Sequence, residues 1–142
     1  MAQLNNTLYK YTVKNPRDVY FYAKSVFPFD LFPDEIIIDE NKVDIIHSQF
    51  FMGREVFSIP IRNINSVSSN SNGIFGSVSI EVIGFHQDPE PILFLWSADA
   101  ARARRIINGL VCSNKQQPSI DSFSKKERMK NIEQLGRAEE KV

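Results

Sequence analysis

Three runs of alternating apolar residues lead straight into a helix-forming stretch, and this order limits what the chain can become. The runs are Phe57, Ile59, Ile61; Val78, Ile80, Val82; and Ile92, Phe94, Trp96, with Ser58, Ser77, Ser79 and Glu81 among the intervening positions. A period of two places one side-chain set on a buried face, so strands are predicted over residues 57–61, 64–68, 78–83 and 92–96. Leu93 and Leu95 interrupt the last alternation, which suggests a strand covered on both faces or a sheet that curls there. Trp96 shares its parity with Ile92 and Phe94 and is therefore placed in the core. Polar, turn-forming residues punctuate the runs: Arg62-Asn63, Asn70-Ser71-Asn72-Gly73, and the stretch from His86 to Pro91.

The helix is predicted over residues 98–111. Ser97 suits its N-cap and Asp99 its first turn, where a carboxylate meets the positive end of the helix dipole. Ala100, Ala103, Ile107, Leu110 and Val111 form one stripe flanked by Ile106. The small alanines let its first half approach the sheet closely.

The segment Ser58-Ile59-Pro60-Ile61-Arg62-Asn63-Ile64-Asn65-Ser66-Val67 resembles the "IPxxxIxxV" segment of bacterial pleckstrin-homology (PH)-like domains. Phe75-Gly76-Ser77-Val78-Ser79-Ile80 and the helix ending Ile106-Ile107-Asn108-Gly109-Leu110 extend the resemblance over residues 34–112. It implies an α+β, mainly β, fold: a partly open barrel of antiparallel strands capped by one C-terminal helix. That superfold hosts unrelated functions, so the resemblance carries architecture and no activity.

Upstream, residues 35–39 and 42–49 read as a hairpin turning at Glu40-Asn41. PH domains that bind phosphoinositides carry several basic residues about this loop, which grip phosphates through charge-assisted bonds. Here Lys42 stands beside Asp39, Glu40 and Asp44, so phosphoinositide is disfavoured. Residues 8–13 alternate as a short strand. Asn15-Pro16 reads as a helix start, with Val19, Tyr22, Ala23 and Val26 on one face, giving an N-terminal helical extension over residues 1–33. Six of the sixteen aromatics fall in residues 20–32. They are expected to pack on the barrel or plug its open end; as a docking surface the candidates are Tyr20, Phe27, Phe29 and Phe32, with Phe51. The adjacent Phe50 and Phe51 point to opposite faces if extended, so one of them is expected to be exposed or covered by the N-terminal segment.

Residues 113–142 read as a polar linker and charged tail dispensable for folding, with apolar residues too sparse for a self-sufficient helix; an amphipathic helix over residues 123–140 that orders on a partner is the alternative. Residues 14–33, by contrast, are expected to be needed for it. The 142 residues suffice for one domain with a core, and a 42% hydrophobic fraction places them among folded chains. No apolar run approaches membrane-spanning length and no signal-peptide pattern opens the chain, while a single cysteine, Cys112, fits a reducing cytoplasm. Residues 34–112 hold ten acidic and six basic groups, a net −4 that suits neither nucleic acid nor an anionic leaflet.

Chemical signatures are weak. His86, Asp88 and Glu90 alternate in a proline-restricted loop that reads as solvated rather than metal-binding. Nothing in the sequence marks an orienting third group or an oxyanion site that would make Cys112 and a histidine a nucleophile pair. Gly73-Ile74-Phe75-Gly76 matches a GxxG pattern, but flanking strands make its glycines turn and bulge positions. Arg102, Arg104 and Arg105 are the one basic cluster of the domain and the candidate anion contact. The sequence thus leads to the expectation of a non-enzymatic interaction module without a cofactor, with an unknown protein partner or a second copy of itself. The alternative is a peripheral membrane module contacting anionic lipid through the basic extensions and these arginines.

Overall fold

Two antiparallel sheets and two helices make up the described part of the molecule. The structure, a computed structural model, describes residues 19–116 and 125–140. The first sheet runs in chain order through β1 (Val19–Lys24), β2 (Glu35–Asp39), β3 (Lys42–Ser48) and β4 (Arg54–Pro60). The second runs through β5 (Ile64–Asn72), β6 (Phe75–Val82) and β7 (Ile92–Trp96). Helix α1 (Ser97–Gln116) follows directly, and α2 (Lys125–Glu140) is antecedent to the C-terminus.

Turn chemistry fixes the hairpins. The Asp39 carboxylate accepts the amides of Asn41 (2.7 Å) and Lys42 (2.9 Å), which closes the β2–β3 turn. Gly73 takes a positive φ of 71°, which closes the β5–β6 hairpin. The inward residues of both sheets, among them Ile36, Ile38, Val43, Ile45, Ile59, Val78, Ile80 and Ile92, form one core. Ala100, Ala103, Ile106, Ile107 and Leu110 close it from α1, which among the strands packs mainly on β5 and β6.

Four expectations are corrected. Residues 19–24 form strand β1, paired with β2, where a helical extension was expected. The β-branched and aromatic run Val19-Tyr20-Phe21-Tyr22 favours a pleated surface, and pairing with the Ile-rich β2 outweighs the helix-start signal at Asn15-Pro16. That start and the expected strand over residues 8–13 lie outside the described residues. The first sheet therefore includes residues ahead of position 34.

Second, Trp96 is 49% exposed, whereas Leu95 is fully buried. Phe94 adopts a left-handed φ of 56°, and two residue steps on β6 (Gly76 to Val78) span three on β7 (Ile92 to Leu95). This bulge resets the strand's parity. Third, both Phe50 and Phe51 are exposed, because a short 3-10 turn (Phe50–Met52), with Phe51 at φ 61°, replaces extended chain.

Fourth, much of the expected polar tail is ordered helix on α1. α1 itself runs to Gln116. A Cβ added at Gly109 would lie 1.7 Å from the Ile132 carbonyl oxygen, and one at Gly136 would lie 2.0 Å from that of Arg105. The two helices thus touch backbone to backbone, and Ile132, 1% exposed, enters the main core with Met129 packed beside it. Its burial contributes about 1.5–3 kcal/mol.

Candidate functional site: an aromatic rim around an acidic cleft

The β1–β2 connection, residues 25–34, carries the features most suited to recognition. Its backbone is tied down from below. Ser25 Oγ donates to Asp30 Oδ2 (2.7 Å) and accepts from the Asp34 amide (2.7 Å), while Asp30 Oδ1 accepts from the Phe32 amide (3.1 Å). The Val26 amide donates to the Phe94 carbonyl (2.8 Å), joining the loop to the second sheet. Asp34 joins it to the first: Oδ1 accepts the Ser48 amide (3.1 Å) and Oδ2 lies 2.8 Å from His47 Nδ1. Ser48 Oγ also donates to the Pro33 carbonyl (3.0 Å).

With the polar groups turned inward, the rings face out. Phe27, Phe29, Leu31 and Phe32 are exposed. Phe29 packs on Phe75 with ring centroids 4.7 Å apart, and Phe75 in turn stacks with Trp96 (5.7 Å) and meets Phe94 edge-on (6.0 Å). Phe32 meets Phe50 edge-on (5.7 Å), which meets Phe51 (4.2 Å); Phe51 is 88% exposed. One loop therefore contributes a ring to each of two exposed aromatic groups. Single exposed apolar residues need no explanation, but linked groups of them mark contact surfaces.

Beside the second group lies a cleft of about 460 Å³. Five carboxylates line it, Asp30, Asp34, Glu55, Asp88 and Glu90, together with His47, Phe32 and Phe57. Neither Lys nor Arg is among the lining residues. Asp88 is fixed by the Val82 amide, which donates to its Oδ1 at 2.8 Å, so the β6–β7 loop supplies one wall and β3 and β4 the other. His47, 9% exposed, gives Nδ1 to Asp34, while its Nε2 is buried without a hydrogen-bond partner. A carboxylate only accepts, so Nδ1 carries the proton, and in the neutral ring Nε2 is left as an unused acceptor.

Of the candidate docking residues, Phe27, Phe29, Phe32 and Phe51 lie on the exposed rim. Tyr20 does not: a shift in pairing between Val19 and Phe21 turns both Tyr20 and Phe21 into the core, leaving Tyr20 only 5% exposed. The arginine cluster is not an open basic face either. Arg102 pairs with Glu133 of α2 (3.0 Å) and lies over the Phe21 ring, while Arg104 and Arg105 are half-buried.

Of the alternating loop residues, Asp88 and Glu90 face the cleft and His86 is not among its lining residues. Among the described residues, no three His, Cys, Asp or Glu side chains are grouped to hold a metal ion, and no helix is long and apolar enough to cross a membrane. Cys112 is buried in α1.

Sequence reading missed Phe50, Phe75, Phe94 and Trp96 on the rim, and it missed the cleft. The available signal for the cleft was the acidic balance of residues 34–112, whose carboxylates are scattered along the chain and meet only through the fold. Compared with known proteins, the chain matches no family model, no curated protein and no solved structure.

Proposed function

We propose that the chain is a non-catalytic protein-interaction module of PH-like architecture that docks a polypeptide partner on its aromatic rim. The observation that carries this reading is the exposed group in which Phe32, on a loop fastened to both sheets, meets Phe50 and Phe51 of the 3-10 turn between β3 and β4. A fastened loop has little conformational freedom to lose on binding, and aromatic anchors dominate the energetics of contact surfaces. The element order of two antiparallel sheets followed by a helix supports the PH-like barrel. Self-association through the same rim belongs to this reading.

A peripheral membrane role draws support from the same exposed rings, since aromatic side chains also suit a membrane interface. It draws little from the arginines, of which Arg102 is already paired. Five carboxylates beside the rim oppose an anionic leaflet.

A photo-crosslinking residue placed at Phe51, and separately at exposed Ser68 on β5, tests the proposal in the full chain. Adducts to protein, or to a second copy, from position 51 and not from position 68 are expected. Equal or absent crosslinking from both would contradict docking at the rim.

A further inference from the structure

The rim and the cleft share Phe32, whose ring both lines the cleft and meets Phe50. Gln49 and Glu55, which bracket the 3-10 turn that displays Phe50 and Phe51, also line the cleft. Apolar anchoring and negative charge therefore lie within one footprint.

We propose that the cleft receives a lysine or arginine side chain of the partner, whose neighbouring apolar residues lie on the rings of Phe32, Phe50 and Phe51. This rests on the interaction-module reading and names the chemistry of its partner: a basic, apolar peptide segment. Two observations converge on a cationic occupant. Five carboxylates line the cleft with neither Lys nor Arg among the lining residues, and an excess of one sign of charge in a cleft favours a cation. Glu55 and Glu90 are exposed and open to N–H donors from outside.

The walls suit the rest of such a side chain. Phe32 and Phe57 offer apolar surface to a lysine or arginine stem, which buries its methylenes while its charged end reaches polar groups. A phosphate, a carboxylate ligand or an acidic peptide meets repulsion at the same place.

The test is fluorescence anisotropy of the full chain with three labelled peptides: Leu-Arg-Phe-Arg-Leu, the same peptide with Gln for Arg, and the same with Glu for Arg. Binding of the arginine peptide that weakens with added salt is expected, with the glutamate peptide inert. The double variant Glu55→Gln/Glu90→Gln is expected to weaken it about tenfold, as loss of charge complementarity does. Phe50→Ser/Phe51→Ser is expected to weaken it as well. Thermal melting of both variants, expected to match the parent, shows that binding and not folding has changed.

Equal binding of the arginine and glutamine peptides, unaffected by the glutamine variant but lost in the serine variant, would overturn the cationic assignment and leave the docking rim standing. Binding to none of the three would also overturn it, and crosslinking from position 51 then decides the wider reading separately. Co-sedimentation with phosphatidylserine vesicles in place of peptide binding would overturn both.

Discussion

The aromatic rim and the α1–α2 contact make opposite use of their residues. Residues 27–32 are rich in phenylalanine, yet Phe27, Phe29, Leu31 and Phe32 are all exposed. α2 is one of the most polar stretches of the chain, yet Ile132 is as buried as the centre of either sheet. What separates them is backbone geometry. The rim's polar groups are satisfied beneath it by Ser25, Asp30, Asp34 and Ser48, which leaves the rings outside. At α2 one glycine from each helix, Gly109 and Gly136, lets the two approach so closely that a few apolar side chains suffice. Apolar content alone assigns neither region correctly.

The largest effect that would break this comparison comes from removing α2. A chain ending at Gln116 is expected to lose about 3–6 kcal/mol, since the buried Ile132 and partly buried Met129 each contribute about 1.5–3 kcal/mol. Denaturant unfolding measures it. An unchanged midpoint would mean that α2 is an accessory after all.

Next comes the parity of β7. Leu95→Ala is expected to cost about 2–5 kcal/mol, as a cavity in a packed core does. Trp96→Ala removes a half-exposed ring stacked on Phe75 and is expected to cost about 1 kcal/mol. The sole tryptophan should fluoresce as a solvent-exposed indole. The reverse ranking, with blue-shifted emission, would restore the simple alternation.

The contrast between these two neighbours shows what the sequence made legible. Strict alternation in residues 57–61 and 78–82 located β4 and β6, and the stripe from Ala100 to Val111 located α1, because each is set by local periodicity. The bulge at Phe94 was hidden because it depends on how β7 meets β6, not on any turn-forming residue. β1 was misread because its apolar spacing satisfies both helix and strand until the Ile-rich β2 is beside it. At the site, the density of aromatics in residues 20–32 was legible but their placement was not: Tyr20 and Phe21 enter the core as expected for packing, whereas Phe27, Phe29 and Phe32 are exposed. The cleft was not, since Asp30, His47, Glu55 and Glu90 come from separate elements and meet only in three dimensions.

The smallest effect sharpens the other side of the comparison. Phe50→Ser/Phe51→Ser replaces two exposed rings, and surface changes of this kind usually stay within about 0.5 kcal/mol. Thermal melting close to that of the parent is expected. A loss of several kcal/mol would mean that the rings hold the fold together and are not kept for contact.

Amide chemical-shift mapping in the full chain, titrated with Leu-Arg-Phe-Arg-Leu peptide, tests the central claim most directly. The expected result is saturable perturbation confined to residues 27–34, 47–57 and 87–90, the rim and cleft together. Shifts concentrated on α1 and α2, or none at saturating peptide, would contradict it.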